Sequence, residues 1–293
     1  MRIGTHNVNG IRATVRRGFK EFWSEAGADV VALQEVRCRV GDLPLDAFDG
    51  WHATLELGQL AGRNGVAVMT RTPPAAVRTL HGDVVHTVRD GELFERDSSV
   101  TGGRDLRPFA DEGRYLEVDL ADAPLTIGSL YLPKGAAFPY DGLDEDKYLR
   151  KMRFLKGLKR QLTESRRAAA RDGREFLIVG DFNIAHTKQD LKNWRSNQKT
   201  EGFLPEEREW FSSILSPRSL VDVVRAHVGD VDGPYSWWSW RGQAFTNDSG
   251  WRIDYHLASP GLARVATRAW SAREESYEAR LSDHCPVMVD YAL

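Results

Sequence analysis

The sequence has few cysteines and no long apolar segment. Its 2 cysteines, Cys38 and Cys285, lack the spacing of metal ligands and are too few for a disulfide-stabilised scaffold. No apolar run approaches the roughly 18 residues that a membrane-spanning helix needs. We find no signal-peptide pattern after Met1. These features argue against a disulfide-rich secreted protein and a helical membrane protein, and they predict a cytoplasmic location.

An excess of one charge and the common phosphate-binding loops are also missing. The formal net charge is −2, from 40 basic and 42 acidic residues, so the overall charge does not indicate a polyanionic partner. A local basic surface is still compatible with this value, because binding depends on how charge is distributed. The chain contains no G-x-x-x-x-G-K-[ST] or G-x-G-x-x-G segment, which argues against the nucleotide-binding folds that use these loops.

Short β-type runs with interspersed helices make up most of the chain. The predicted strands are 2–8, 29–35, 65–71, 115–120, 125–131, 176–179, 253–259 and 287–293. Helices are predicted at 18–25, at 144–171 and after Pro205. This order predicts a single domain over 1–293, built as a two-sheet sandwich with helices. The polar segment 81–113 interrupts the pattern, and we interpret it as an insertion with a short hairpin, because long structureless loops are uncommon.

The longest helical pattern has one apolar and one basic face. The apolar positions at helical spacing are Tyr148, Met152, Leu155, Leu158 and Leu162. The basic positions are Lys147, Arg150, Lys151, Arg153, Lys156, Lys159 and Arg160. A solvent-exposed helix face explains these basic residues better than a nucleic-acid contact does.

Polar side chains occur where the predicted strands begin or end. In the clearest case Gly180 closes an apolar run, and Asp181 and Asn183 follow it. On an extended chain these two side chains point the same way, and a carboxylate beside an amide can accept a proton and stabilise negative charge. An Asx turn explains one isolated pair of this kind better. Unrelated turns do not explain the whole set, which also includes Asn7, Asn9, Glu35, Tyr131, Asp254, Asp283 and His284.

Six segments together resemble the exonuclease III / apurinic-apyrimidinic endonuclease family, within the endonuclease/exonuclease/phosphatase superfamily. They are THNVNGIRA at 5–13, LQE at 33–35, GVA at 65–67, GDFN at 180–183, GWRIDY at 250–255 and SDHCP at 282–286. The resemblance extends over 1–291 and implies an α+β fold, a four-layer sandwich of two packed mixed β-sheets flanked by helices.

The resemblance also implies an activity. It is that of a Mg²⁺-dependent DNA phosphodiesterase of base-excision repair, which cleaves 5′ to abasic sites and acts as a 3′–5′ exonuclease or 3′-phosphodiesterase. Double-stranded DNA with abasic sites or 3′ ends is then the expected partner, no membrane contact is expected, and the protein is expected to be a monomer. Fold alone would not establish the substrate, because the superfamily also contains lipid and inositol phosphatases.

Within the resemblance, carboxylates and amides would hold the metal. Glu35 and Asp283 are the expected oxygen ligands of Mg²⁺, with Mn²⁺ as the alternative ion, and Asn7 and Asn9 would lie beside them. Mg²⁺ is a hard ion that takes one or two carboxylates and keeps several waters. The number of metal ions stays open.

The reacting groups follow from the same resemblance. Asp254 would fix the tautomer and charge of His284 as an acid–base pair. Asp181 would position or deprotonate the attacking water, and the sequence does not decide whether Asp181 or His284 is the general base. Asn183 and Tyr131 would stabilise the charge that develops at phosphorus.

DNA contacts are expected from two further groups of residues. The phosphate contacts would be Arg12, Arg16, Arg17, Arg63 and Asn64. The apolar pocket for a flipped-out sugar without a base would be Trp237, Trp251 and Ile253, although each tryptophan alone could equally be a core residue. His6, Lys134 and the 81–113 segment depart from the family pattern and leave the balance of endonuclease and exonuclease activity open.

Two other functions compete with the repair nuclease. A phosphatase or phospholipase of the same superfamily would share the fold and metal site, and hydrolysis of phosphoinositides would identify it. A catalytically inactive DNA-binding module is the other alternative. The complete set of acids, together with His284 and Asn183, argues against it.

Overall fold

The structure is a computed structural model that describes residues 1–60, 62–137 and 142–293. Its strands are β1 (Arg2–Asn7), β2 (Val30–Gln34), β3 (His52–Glu56), β4 (Val66–Thr70), β5 (Ala76–Thr79), β6 (Val84–Arg89), β7 (Glu92–Asp97), β8 (Ser99–Val100), β9 (Tyr115–Asp119), β10 (Leu125–Tyr131), β11 (Glu175–Asp181), β12 (Val221–Asp222), β13 (Asp254–Ala258), β14 (Ala266–Ser271) and β15 (Val287–Tyr291). Its helices are α1 (Ile11–Val15), α2 (Phe19–Glu25), α3 (Leu143–Arg171), α4 (Pro205–Ile214), α5 (Val223–Val228) and α6 (Pro260–Arg264).

These strands form two mixed sheets. Within the described ranges, one sheet has 8 strands in the order β14-β15-β1-β2-β4-β3-β6-β7, and the other has 7 in the order β12-β13-β11-β10-β9-β5-β8. Parallel pairs, β1 with β2 and β10 with β11, lie beside antiparallel neighbours in each sheet. The α+β, two-sheet fold class is therefore confirmed.

Successive side chains of the central strands face alternately the other sheet and the outer helices. In β2, Val30 and Ala32 belong to the core between the two sheets. Val31 and Leu33 point the other way and pack with Trp23 of α2, because successive strand residues face opposite sides. Position 4 in β1 is glycine, and a Cβ there would lie 2.6 Å from the Trp23 ring.

The second sheet repeats this arrangement. Leu177 and Val179 of β11 face the core between the sheets, whereas Phe176 and Ile178 pack with α3 and α4 on the outer side. The order of layers is therefore helix, sheet, sheet, helix. This confirms the four-layer sandwich.

The basic face of α3 is only partly exposed. Most of its predicted basic residues are exposed, but Lys151 is 0% exposed. The prediction that Lys151 lies on a solvent-exposed face was wrong, because two loops and α4 cover this turn of the helix.

Segment 81–113 contains the predicted hairpin. β6 and β7 pair antiparallel and extend the edge of the eight-stranded sheet through β3. The segment then returns towards the loop before β4, where the Asn64 side chain donates to the backbone oxygen of Glu112 at 3.0 Å. That the segment is an insertion stays a prediction. In the part of the chain that the structure describes, no helix is long and apolar enough to cross a bilayer.

Candidate active site

Strand ends from both sheets meet at one edge of the sandwich. β10 and β11 are parallel with Tyr131 opposite Asp181, and antiparallel β13 places Asp254 opposite Asp181. In the other sheet Asn7 ends β1 and Glu35 follows β2, while Asp283 and His284 precede β15, which is antiparallel to β1. A cavity of about 310 Å³ opens here and is lined by Asn9, Glu35, Arg37, Tyr131, Lys134, Asp181, Asn183, Thr200, Glu201, Gly202, Trp237, Trp251, Ile253, Asp283 and His284.

Asn7 joins two carboxylates across the sheet interface. Its Nδ2 donates to Glu35 Oε1 at 2.8 Å and to Asp181 Oδ2 at 2.9 Å. Its Oδ1 accepts the backbone N–H of Asn9 at 3.0 Å. The side chain is completely buried, so it holds Glu35 and Asp181 in a fixed relation. Its predicted role as a metal ligand stays a prediction, since its nitrogen faces the carboxylates here.

Asp254 and His284 form a buried pair, as the sequence predicted. His284 Nδ1 lies 2.8 Å from Asp254 Oδ2, and Ser236 donates its hydroxyl to the same oxygen at 2.6 Å. Burial disfavours a charged imidazole, but the Asp254 carboxylate outweighs it and raises the His284 pKa to about 10. His284 is therefore an imidazolium at neutral pH, and its Nε2 lies 3.9 Å from Asp181 Oδ2.

Asp181 can exchange a proton near neutral pH. Burial raises the pKa of Asp181, and the nearby Asp254 and Glu35 carboxylates raise it further. The positive charge of His284 opposes them, and the resulting pKa is about 7. The backbone N–H of Asn183 donates to Oδ1 at 2.8 Å, and the Asn183 side chain lies 3.2 Å from Oδ2. These bonds orient the carboxylate towards the cavity. The predicted neighbours Asp181 and Asn183 do come together.

Asp283, which also lines the cavity, stays ionised. Burial alone would raise its pKa, but the charge of His284 and hydrogen bonds from Trp237 and Asn9 lower the Asp283 pKa below its ordinary value. Asn9 Nδ2 lies 2.9 Å from Asp283 Oδ1, and Trp237 Nε1 lies 3.1 Å from Oδ2. An anionic oxygen therefore faces the cavity at neutral pH.

Tyr131 supplies a neutral donor. Burial, with the nearby Glu35 and Asp181 carboxylates, raises the pKa of the Tyr131 hydroxyl. The guanidinium of Arg114 lies 5.0 Å from the centre of the Tyr131 ring. The phenol thus stays protonated and can donate towards an anion in the cavity.

The donor atoms fit a metal cation. An oxygen of Glu35 and an oxygen of Asp181 lie within 4.8 Å of each other, and the ionised Asp283 lines the same cavity. The protonated His284 is not a ligand in this set. The Arg37 guanidinium forms an ion pair with Glu35 and donates to Asn9 Oδ1 at 2.5 Å. A positive group therefore already lies against this carboxylate and amide. The oxygens are the hard ligands that Mg²⁺ and Mn²⁺ prefer.

Four residues that line the cavity have left-handed backbone conformations. Their φ angles are 44° at Asn9, 51° at Glu35, 47° at Arg37 and 48° at Asn183. This conformation costs a non-glycine residue roughly 1–2 kcal/mol and persists only where surrounding contacts impose it. Its concentration here indicates that side-chain placement in the cavity outweighs local backbone preference.

An apolar wall closes one side of the cavity. Trp237, Trp251 and Ile253 pack in one cluster with Leu191 and Phe203. The two indole rings meet edge to face, with centroids 6.2 Å apart. The structure therefore brings the three predicted pocket residues together beside the acidic groups.

A buried ion network holds this wall. Arg252, between Trp251 and Ile253, is 1% exposed. Its Nε lies 2.7 Å from Asp190, and its two terminal nitrogens lie 3.1 and 2.8 Å from the Asp222 oxygens. Such bidentate bonding fixes geometry as well as charge, so the strand that carries Asp254 has little freedom.

The chain matches a known family along nearly its whole length. Residues 4–284 match the model of the Endonuclease/Exonuclease/phosphatase family. The chain belongs to this family. The exodeoxyribonuclease of Bacillus subtilis (strain 168) is 30% identical over 288 residues, which cover 98% of both chains. The DNA-(apurinic or apyrimidinic site) endonuclease of Dictyostelium discoideum is 26% identical over 299 residues, 99% of this chain and 70% of that protein.

Solved structures show the same architecture. An AP endonuclease from Archaeoglobus fulgidus superposes with a TM-score of 0.77 at 24% sequence identity, and the match covers 100% of both chains. At this identity the likeness establishes the fold of the family and not the substrate of an individual member.

The predicted phosphate-contact residues of this family member lie outside the cavity. Arg12, Arg16 and Arg63 are exposed. Arg17 is also exposed and stacks over the Trp240 ring at 4.7 Å. Among the described residues that line the cavity, none of these arginines occurs. The side chain of Asn64 is used to hold the loop at Glu112, so its contact with DNA stays a prediction.

Some residues of the site were not predicted. Arg37 and Ser236 contact Glu35 and Asp254, respectively, yet neither occupies a strand end with a polar pattern. Lys134 was noted only as a departure from the family, and it lines the cavity in an ion pair with Glu201 at 3.3 Å. Alternation along a strand could not have indicated Arg37, because the backbone is left-handed at both Glu35 and Arg37.

The charge of His284 provides a first test. In Asp254→Asn the carboxylate is lost while burial remains, so the His284 pKa should fall by about 1–3 pH units. NMR titration of the imidazole in the metal-free protein measures this directly. Ser236→Ala keeps the carboxylate and should leave most of the elevation of the pKa. An unchanged His284 titration in Asp254→Asn would contradict the pairing.

Proposed function

We propose that this chain is a metal-dependent DNA phosphodiesterase of base-excision repair. It cleaves 5′ to abasic sites and acts at 3′ ends as a 3′–5′ exonuclease or 3′-phosphodiesterase. The observation that carries the proposal is the cavity in which Asp181, His284 and Asp283 lie beside the apolar wall, whose two indole rings we call the indole wall. The named activities of the Bacillus and Dictyostelium relatives support DNA as the substrate.

The residues divide the chemistry between them. Asp181, with a pKa of about 7, accepts the proton of the attacking water. His284 is already protonated, so it stabilises the growing negative charge instead of acting as the base. Asn183 and Tyr131 donate hydrogen bonds to the same charge. This assignment favours Asp181 over His284 as the general base.

A metal ion completes the site. Glu35, Asp283 and Asn9 would hold Mg²⁺, with Mn²⁺ as the alternative. When bound, the ion would neutralise charge on the phosphodiester and on the leaving oxygen. Asn7 keeps Glu35 and Asp181 in register by its two hydrogen bonds.

The indole wall accounts for preference for damaged DNA. Trp237, Trp251 and Ile253 offer apolar contact to a sugar turned out of the duplex, and the cavity of about 310 Å³ excludes larger groups by shape. Unstacking costs least where the base is missing. The cavity therefore favours an abasic site by size and by the low cost of extrusion.

Duplex DNA is the proposed partner, bound by a monomer in the cytoplasm. The exposed arginines within α1 and directly after it, with Arg63 and Asn64 on the loop before β4, would contact phosphates. Cys38 and Cys285 are both buried free thiols, which is compatible with a reducing compartment.

A single incubation distinguishes the candidate functions. Purified protein is incubated with an abasic-site duplex in Mg²⁺ and in EDTA, beside a phosphoinositide substrate. Incision 5′ to the abasic site in Mg²⁺ and none in EDTA is the expected result. Phosphoinositide hydrolysis without incision would identify a phosphatase instead, and tight binding without any cleavage would identify an inactive DNA-binding module.

Replacing the exposed arginines should weaken binding to all duplexes alike. For Arg12→Ala and Arg17→Ala, the slope of log K against log salt should become shallower by about 0.9 for each phosphate that is no longer neutralised. The titration is done in Ca²⁺ or EDTA to block cleavage, and preference for abasic DNA should persist. Arg171→Ala, at the far end of α3, is the control. An unchanged slope in both variants would place the phosphate contacts elsewhere, with the basic face of α3 the next candidate.

A further inference from the structure

A buried ion pair lies directly behind the cavity. Lys151 of α3 and Glu207 of α4 lie 2.6 Å apart, and their side chains are 0% and 1% exposed. Neither lines the cavity, and neither has a part in the chemistry proposed above. Desolvation offsets most of the attraction within a buried pair, so its presence is weak evidence for a gain in stability.

The lysine holds two loops of the cavity. Its Nζ donates to the backbone oxygen of Lys134 at 2.9 Å and to that of Asn183 at 3.0 Å. The chain passes closely over the lysine stem at Gly135, where a Cβ would lie 2.7 Å from Lys151 Cδ. Asn183 has a φ of 48°, a conformation that needs external contacts to persist. The lysine supplies one of these contacts.

Glu207 holds a third loop, at Gly202, against the backbone of Asn183. Glu207 Oε2 accepts the N–H groups of Gly202 at 2.7 Å and Leu204 at 3.1 Å. Gly202 has a φ of 88°, and a Cβ there would lie 2.9 Å from the backbone oxygen of Asn183. The two loops are thus in direct contact, and the pair is bonded to both.

We propose that Lys151 and Glu207 are positioning residues, which hold Asn183 and the Lys134 and Gly202 loops in the geometry that cleavage requires. This inference rests on the proposed function of Asn183. The pair draws together three loops that are distant in sequence, and its polar atoms bond to their backbones. Apolar side chains could fill the same volume but could not supply those donors and acceptors.

The double variant Lys151→Met/Glu207→Gln separates positioning from stability. It removes both charges at similar volume, and the amide oxygen introduced at position 207 can still accept the N–H groups of Gly202 and Leu204. We expect a folded protein with a moderately lower Tm, because the backbone oxygens of Lys134 and Asn183 lose their donor. The kcat on abasic duplex, measured well below that Tm, should be lower by roughly 10- to 100-fold, since small misplacements of reacting groups have effects of this size. KM should change little. Arg167→Met, at an exposed position further along α3 and outside its basic face, should leave both constants unchanged.

Hydrogen exchange tests the same inference without activity. Segments 132–137 and 181–185 should exchange slowly in the wild type and faster in the double variant, whereas 200–204 should change little. A folded double variant with wild-type kcat and wild-type exchange would overturn the proposal, as would rapid exchange of 132–137 and 181–185 in the wild type. If the wild type does not cleave abasic DNA, the proposed function fails, and the exchange comparison still decides whether the pair holds these loops.

Discussion

Replacing Asp181 with asparagine is expected to lower kcat by roughly three orders of magnitude, within the range for loss of a general base. The amide keeps the shape of the side chain but cannot accept a proton. DNA affinity should fall far less, because the phosphate contacts and the indole wall are intact. Single-turnover cleavage of an abasic duplex, with binding measured in Ca²⁺, separates the two effects. Equal losses in binding and cleavage would instead indicate a folding defect.

The same variant should also change how stability depends on pH. The Asp181 pKa rises from 3.8 in the unfolded chain to about 7 in the folded protein. The folded state therefore binds this proton more tightly, and the resulting stability is present below pH 4 and is lost as pH rises towards 7. Asp181→Asn removes this dependence. In EDTA, the Tm of Asp181→Asn minus the Tm of the wild type should increase as pH rises from 4 to 7. A Tm difference that does not change with pH would contradict the shifted pKa.

Glu35→Gln is expected to cause the second large loss. Even partners outside the ligand set change metal affinity by about 10–100-fold, so removing a ligand charge should weaken Mg²⁺ binding by at least roughly 100-fold. Cleavage at low Mg²⁺ should fall accordingly and recover in part at high Mg²⁺. Metal binding by calorimetry and the Mg²⁺ dependence of kcat measure the two effects.

Glu201→Gln is the matched control for this prediction. Glu201 lines the same cavity but pairs with Lys134, so the same chemical change should leave metal affinity close to that of the wild type. Full activity of Glu35→Gln at low Mg²⁺ would contradict the ligand assignment. An equal loss in Glu201→Gln would show that total cavity charge, and not the ligand, is what matters.

The sequence was most informative where structure is local. Apolar runs such as 176–179 predict strands by themselves, and the polar residues that follow them, such as Asp181 and Glu35, reach one edge because parallel neighbours end together. The resemblance then supplied roles, including the Asp254–His284 pair. The contacts of these residues were therefore largely predictable.

Features that depend on distant packing were not predictable. Lys151 has the sequence context of an exposed helix position, and its burial depends on Glu207 and on loops far along the chain. Glu35 and Arg37 give no local sign of a positive φ, which glycine or asparagine usually signals. β7 is exposed on both faces, so it lacks the alternation that marks a half-buried strand.

The composition of the site from two sheets has a consequence for the nascent chain. Asn7 ends β1, Glu35 follows β2 and His284 precedes β15, all strands of the eight-stranded sheet, whereas Tyr131, Asp181 and Asp254 lie in strands of the seven-stranded one. Their bonds, from Asn7 to Asp181 and from His284 to Asp254, cross between the sheets. His284 precedes β15, which follows the other strands in the chain and pairs with β1. A chain synthesised only as far as β13 therefore has Asp254 without its partner His284, and the pair forms only when the two sheets pack together.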